Sequence, residues 1–102
     1  MAKFLDGVLA GHLERNINLS VPWYLMAAYA YYKEDAPILF DSTFDELAKT
    51  MLDNWDKIEH FHKHYITVSD LEAGSFLGEY PSRVPYALHH VREKYQNDHR
   101  RR

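Results

Sequence analysis

Three aromatic and two acidic side chains lie close together in the sequence, and their types could bind a small ligand. Tyr31 and Tyr32 precede a short proline-containing stretch, and Asp41, Phe44 and Asp45 follow it. Aromatic rings offer faces for stacking, and ionised aspartates accept hydrogen bonds from amide and hydroxyl groups. These residues therefore indicate a site for a flat, polar aromatic molecule.

Two helices and the corner between them must position these side chains. Ser20 is a suitable N-cap, and Pro22 then falls in the first turn, where its missing N–H is tolerated. The helix is expected to run to about Glu34. It must end soon after because Pro37 disfavours helical geometry at Ala36.

The next helix carries the clearest helical pattern in the chain, and Asp41 or Ser42 is expected to cap it. Its apolar stripe repeats every three to four positions and consists of Phe44, Leu47, Ala48, Met51, Leu52, Trp55 and Ile58. Weaker stripes predict a first helix within 4–13 and a last helix after Ser82, which would be its cap.

The segment between the third and last helices is less regular. Residues 61–68 include Tyr65 and Ile66, which favour a short extended strand. The stretch from Ser69 to Glu72 fits a capping box and predicts a brief helical turn that Gly74 ends. The sequence thus predicts one mainly α domain over 1–102, a compact bundle of about four helices with an irregular middle and a disordered tail at 97–102.

The aromatic and acidic pattern resembles the nicotinamide-recognition module at the N-terminus of NAD-dependent DNA ligases. That family reads Tyr-x-Tyr-His-x-x-Asp-x-Pro, followed by Asp-x-x-Tyr-Asp-x-Leu. Here the segments 29–37 and 41–47 follow this order, with Tyr32 in place of the histidine and Phe44 in place of the second tyrosine. Both replacements keep an aromatic ring and change its polar group.

The resemblance implies a small stand-alone helical module that binds NAD or nicotinamide mononucleotide. By position, Tyr31, Asp41 and Asp45 match family residues that contact the nicotinamide mononucleotide half of NAD, and Tyr32 and Phe44 complete the implied site. A chain that keeps recognition without chemistry would fit an accessory or phage-encoded protein.

The chain is not expected to seal DNA by itself. Ligases of this kind use the lysine of a Lys-x-Asp-Gly motif on a larger nucleotidyltransferase domain. Residues 33–36 read Lys-Glu-Asp-Ala, which lacks the glycine and falls inside the recognition pattern. Neither a glycine-rich phosphate loop nor a serine or cysteine nucleophile motif is present in the sequence, so no catalytic residue is assigned.

Other interpretations fit the same residues. Asp41 could simply cap a helix, Asp45 could complement its dipole, and the tyrosines could belong to the core with their hydroxyls exposed. Alternatively, Tyr24, Tyr29 and Tyr31 could form an exposed patch that docks a protein partner or a second copy of the chain, since tyrosine is enriched at interfaces.

A histidine-rich segment offers a second kind of chemistry. His60 and His64 would share a face of a helix, and on a strand His62 would join them. Such a set could bind a divalent metal with Asp56 or Glu59 as an oxygen ligand. Lys63 adds a competing positive charge, and surface histidines near a helix end explain the segment better, so no metal site is assigned.

Composition limits the remaining classes. The chain has 102 residues, is 46% apolar and 15% aromatic, and contains no cysteine, which suits a folded domain without disulfides. The net charge of -3 gives no overall attraction to nucleic acid, although His99, Arg100, Arg101 and Arg102 form a basic tail that could contact phosphates. With no signal peptide and no stretch fit to span a membrane, a soluble cytoplasmic protein is expected.

Overall fold

The computed structural model describes residues 4–96, and in this range the chain is mainly α-helical and has no strand. Five α-helices follow in order: α1 (Asp6–Arg15), α2 (Ser20–Tyr32), α3 (Asp41–Asp53), α4 (Val68–Ala73) and α5 (Val84–Gln96). Short 3₁₀ turns at Ile17–Leu19 and Lys63–Tyr65 complete the regular structure. The prediction of a mainly α bundle with an irregular middle is confirmed.

Helix α2 forms the centre of the core. Most of its side chains are buried, and it packs against α5 and α3. An α-helix that is apolar around most of its circumference has to be surrounded by other elements, and here α1, α3 and α5 provide that cover. Every other helix contributes buried apolar side chains, among them Leu9, Leu47, Met51, Leu71 and Leu88, and the connecting segments add others such as Ile38 and Phe76.

The start of α2 differs from the sequence expectation. The 3₁₀ turn runs directly into the helix, so Ser20 is its first residue rather than its N-cap. The Ser20 hydroxyl is buried and has no hydrogen-bond partner among the described residues. Asn16 performs the capping instead, since its side chain accepts a hydrogen bond from the backbone N–H of Asn18 at 3.0 Å. Pro22 does lie in the first turn.

The corner between α2 and α3 is held by backbone hydrogen bonds and by α5. Asp35 adopts the left-handed conformation with φ +52°, and the next N–H, that of Ala36, donates to the carbonyl of Ala30 at 2.8 Å. Arg92 of α5 donates to the carbonyl of Ala36 at 2.7 Å and forms an ion pair with Glu34. The corner is therefore tied to the body of the protein from two sides.

Helix α3 begins at Asp41 itself, and Phe40 occupies the N-cap position without a side-chain hydrogen bond. The prediction that Asp41 or Ser42 caps this helix is therefore wrong. The helix also ends earlier than its apolar stripe suggested: beyond Asp53, Trp55 lies in a turn and Ile58 in irregular backbone. These two residues continue the apolar pattern without continuing the helix.

The strand predicted for residues 61–68 is wrong. Lys63–Tyr65 is a 3₁₀ turn, and although Ile66 and Thr67 have extended backbone, they do not form a strand. The capping box exists but lies two positions earlier than predicted: Thr67 and Asp70 exchange hydrogen bonds at the start of α4. Gly74 ends α4 with φ +67°, as expected.

The last helix begins at Val84, so Ser82 lies two residues before it rather than at the cap. Residues 97–102, where a disordered tail was predicted, lie outside the described range. Among residues 4–96, no helix combines the length and apolarity needed to cross a membrane.

Candidate functional site

A cavity of about 250 Å³ opens at the corner between α2 and α3. Its lining comes from α2, from the corner, from α3 and from the end of α4, and consists of Ala27, Tyr31, Tyr32, Pro37, Leu39, Asp41, Phe44, Asp45 and Gly74. All five residues singled out from the sequence are in this lining. The structure thus brings the three rings and the two carboxylates to one concave surface.

The two tyrosines at the end of α2 are not core residues. Tyr31 is 50% exposed and Tyr32 is 40% exposed. Their ring centroids are 4.9 Å apart and their planes are perpendicular, at 89°. Large apolar surfaces that remain exposed beside a concavity are candidates for contact with another molecule. The interpretation of these two side chains as buried core is wrong.

Phe44, by contrast, is held from behind by the core. Its ring stacks on that of Tyr24, with centroids 4.7 Å apart and planes within 19°. The Tyr24 hydroxyl donates a hydrogen bond to the carbonyl of Ser75 at 2.6 Å, and burial raises the pKa of Tyr24 above its usual value. Phe44 therefore forms a fixed part of the pocket wall supported by a neutral tyrosine.

The two aspartates share one face of α3. Asp41 is the first residue of the helix, Asp45 lies one turn later, and both are exposed. Residues four apart on a helix are neighbours, so their carboxylates border the same space. Among the nine lining residues, all within the described range, there is no Lys, Arg or His. The pocket is consequently acidic.

Gly74 completes the pocket from the far side and was missed as a site residue in the sequence. A Cβ atom added there would lie 3.1 Å from Oδ1 of Asp45, which shows how closely this carboxylate approaches the backbone of Gly74. The left-handed φ of +67° independently favours glycine. No local sequence signal links Gly74 to Asp45, since only the packing of α4 against α3 brings them together.

A shallower groove continues from the pocket past Asp45 and Gly74. It has a volume of about 370 Å³ and is more open to solvent than the pocket. Besides these two shared residues it is lined by Lys49, Leu52, Leu71, Glu72 and Ala73. A ligand longer than the pocket could extend along this groove between α3 and α4.

The histidine-rich segment does not have the geometry on which the metal-binding hypothesis was based. In residues 4–96, no group of three or more histidine, aspartate or glutamate side chains is arranged to hold a metal ion. His60, His62 and His64 lie on neither an α-helix nor a strand, so the shared face that a metal site would need does not exist. The Nδ1 atom of His60 accepts a hydrogen bond from the backbone N–H of His62 at 3.0 Å. This nitrogen is already used within the segment.

The exposed patch of Tyr24, Tyr29 and Tyr31 suggested by the sequence is also wrong. Tyr24 is fully buried, and Tyr29 is half-buried with its ring edge-on to that of Tyr80 at 5.2 Å. Only Tyr31 of the three is exposed. The basic residues His99, Arg100, Arg101 and Arg102 lie outside the described residues.

Comparison of the chain with known protein families, curated proteins and solved structures finds no match. The resemblance to the ligase module stays a prediction.

Proposed function

We propose that the corner pocket binds the nicotinamide mononucleotide part of NAD, as a stand-alone, DNA-ligase-like recognition module. The observation that carries this proposal is the convergence of Tyr31, Tyr32, Asp41, Phe44 and Asp45 on one cavity. These are the positions at which the sequence resembles the nicotinamide-binding segment of the ligases. The proposal needs no residue from outside the described range.

The pocket has the size for part of a dinucleotide. Sites that enclose a whole drug-sized ligand have volumes of about 300–1,000 Å³. This cavity measures about 250 Å³, so it suits one part of such a ligand. It would hold the nicotinamide ring and its ribose, with the ring against the tyrosines and Phe44. The carboxylates of Asp41 and Asp45 would accept hydrogen bonds from the carboxamide N–H and the ribose hydroxyls. The rest of NAD would extend from the pocket along the groove towards Lys49.

The proposed role is recognition without chemistry. Lys33, the lysine of the incomplete Lys-x-Asp-Gly pattern, directly follows α2, and its N–H donates to the carbonyl of Tyr29 at 2.9 Å. The end of α2 therefore accounts for the position of Lys33. We propose that the chain is a nucleotide-binding protein that acts in the cytoplasm, where NAD is available. We further propose that it is an accessory or phage-encoded protein.

Calorimetric titration with nicotinamide mononucleotide and with NAD tests the proposal. Binding with a dissociation constant below millimolar is expected, and Asp45→Asn should weaken it at least about tenfold because a hydrogen bond to a charged group contributes about 1.5–3 kcal/mol. Asp53→Asn is the matched control, since Asp53 is also exposed on α3 but does not line the pocket. Absence of heat at millimolar concentrations of both ligands would refute the proposal.

A second candidate is docking of a protein partner or a second copy through a different aromatic surface. Phe4 and Phe40 are 41% and 55% exposed, and their rings stack on each other at 4.3 Å beside the pocket. Sedimentation equilibrium distinguishes this candidate: a concentration-dependent dimer that Phe40→Ser converts to a monomer supports self-association. A strict monomer that binds nucleotide supports the first proposal instead.

A further inference from the structure

The charge of the pocket is one-sided. Two carboxylates, those of Asp41 and Asp45, border it, and none of its nine lining residues in the described range is basic. The nearest cation lining the connected groove is Lys49, one helical turn beyond Asp45. A ligand that places its own positive charge in the pocket would neutralise this excess without competition from a lining cation.

The rings are arranged to favour the same kind of ligand. Tyr31 and Tyr32 both line the pocket, and their ring planes are perpendicular, with an interplanar angle of 89°. Phe44 supplies a third ring from α3. The face of an aromatic ring attracts cations, and several rings around one space form the cages that bind quaternary ammonium groups.

Few polar side chains line the pocket that could recognise an uncharged ligand through hydrogen bonds. Apart from the two carboxylates and the two tyrosine hydroxyls, the lining side chains are apolar or absent: those of Ala27, Pro37, Leu39, Phe44 and Gly74. Carboxylates are acceptors only, so they can bind a neutral carboxamide through its N–H groups alone. A positive charge, in contrast, is attracted both by carboxylates and by the faces of aromatic rings, and the lining contains both kinds of group.

We propose that the pocket selects the positive charge of its ligand, so that its ligands are small organic cations, either pyridinium rings or N-methylated ammonium groups. This inference deepens the proposed function, because the nicotinamide ring of oxidised NAD is a pyridinium cation. The inference also goes beyond the proposed function, because it makes the positive charge of the ligand, and not its carboxamide, ribose or phosphate, the main determinant of binding.

Pairs of ligands that differ in charge and little in shape test the inference. The first pair is 1-methylnicotinamide, a cation, and nicotinamide, its neutral parent. The second pair is choline and 3,3-dimethylbutan-1-ol, in which a carbon atom replaces the nitrogen. Titrations followed by nuclear magnetic resonance or calorimetry should show each cation binding at least tenfold more tightly than its neutral counterpart.

Variants identify the source of the preference. In Asp41→Asn/Asp45→Asn the preference for the cation in each pair should fall at least about threefold, because the amides keep the shape and remove the charge, and the rings account for the preference that remains. In Tyr31→Leu the preference should fall as well, since leucine keeps an apolar surface without a ring. Thermal melting verifies that these substitutions at exposed positions leave the protein folded. Asp53→Asn, outside the pocket, should retain the full preference.

The outcomes separate this inference from the proposed function. If nicotinamide binds as tightly as 1-methylnicotinamide, or if the preference is undiminished in Asp41→Asn/Asp45→Asn, the inference is overturned. If the cations bind preferentially while nicotinamide mononucleotide does not bind, the inference stands and the proposed function fails. If nicotinamide mononucleotide binds and neither pair shows a preference, the proposed function stands and the inference fails. No binding by any of these compounds overturns both.

Discussion

The α2–α3 corner and the segment 60–65 are both rich in rings and ionisable groups, yet their side chains have different partners. At the corner, Tyr31 and Tyr32 are exposed beside a cavity that two carboxylates border. In the segment 60–65 the rings stack on one another, as His60 does on Phe61 with centroids 4.7 Å apart. There Lys63 donates to two backbone carbonyls rather than to solvent or a ligand.

This contrast shows that residue types alone do not make a site. The segment 60–65 contains more side chains suited to chemistry, but its hydrogen bonds and ring contacts are made within the protein. Groups whose bonding capacity is used internally stabilise the fold, whereas groups left exposed around a concavity can bind another molecule. The comparison therefore predicts that substitutions in the two regions separate stability from binding.

The largest effect on stability is expected for Lys63→Met. The ammonium group of Lys63 donates to the carbonyls of Trp55 at 2.7 Å and Ile58 at 2.9 Å and lies 4.6 Å from the Trp55 ring centroid. Methionine keeps much of the apolar stem and loses these interactions, so the free energy of unfolding should fall by about 2 kcal/mol. Urea denaturation measures the change.

Ligand affinity should not change in Lys63→Met, because Lys63 does not line the pocket. Lys57→Met is the control, since Lys57 is exposed and donates no side-chain hydrogen bond to the described residues. Equal stability of the two variants would contradict the structural role assigned to Lys63.

Gly74→Ala should impair both properties together. A residue with a side chain at φ +67° costs about 1–2 kcal/mol, and the added Cβ would lie 3.1 Å from Oδ1 of Asp45. The unfolding free energy should therefore fall by about 1 kcal/mol or more, and the displaced carboxylate should weaken ligand binding several-fold. Denaturation and calorimetry on the same sample measure the two changes.

Gly11→Ala separates these effects from a general response to replacing glycine. Gly11 lies within α1, and a Cβ atom there would meet nothing within 4 Å. Alanine should stabilise this helix by about 0.5–1 kcal/mol and leave binding unchanged. A Gly74→Ala variant that loses stability but retains full affinity would show that the position of the Asp45 carboxylate does not matter for binding.

The candidate site could be located from the sequence because most of its residues are local. Tyr31 and Asp45 belong to two consecutive helices, and a proline between them requires a corner that brings the helix ends together. Gly74 could not be found in this way, because it reaches the pocket only through the packing of α4 against α3. A contact between distant segments leaves no trace in the local pattern of one sequence.

The incorrect predictions have physical causes. Tyr65 and Ile66 favour a strand, but this preference depends on a partner strand, and within residues 4–96 none exists. Two overlapping frames in the sequence satisfy the capping-box pattern, and the frame that starts at Thr67 is used. Ser20 was assigned as a cap because of its residue type, although the 3₁₀ turn before it already continues into α2.

Asp35→Gly should strengthen the corner slightly without changing the pocket. Asp35 has φ +52°, a conformation that glycine adopts without steric cost. Because glycine also gains entropy in the unfolded chain, the net increase in unfolding free energy should be no more than about 1 kcal/mol. Asp35 does not line the pocket, so the affinity should be retained. A clear loss of stability in denaturation would show that its carboxylate has a structural role.

The smallest effect concerns pH and again distinguishes the two regions. Burial is the main cause that lowers the pKa of His60, and the neighbouring His62 adds to it. Burial is also the main cause that lowers the pKa of His62, and His64 and Arg83 add to it. A histidine with a lowered pKa binds a proton more readily in the unfolded chain. Its contribution to stability is therefore complete above the unfolded value of about 6.5 and decreases as the pH falls below it.

The melting temperature should accordingly decrease by a few degrees between pH 7.5 and pH 5. His60→Asn should reduce this decrease, because the asparagine oxygen can replace Nδ1 as the acceptor for the N–H of His62 and does not titrate in this range. His90→Asn, at an exposed position on α5 outside this segment, is the control. If His60→Asn and the parent lose stability in parallel as the pH falls, protonation of His60 is not what destabilises the segment. The buried environment inferred for this histidine would then be wrong.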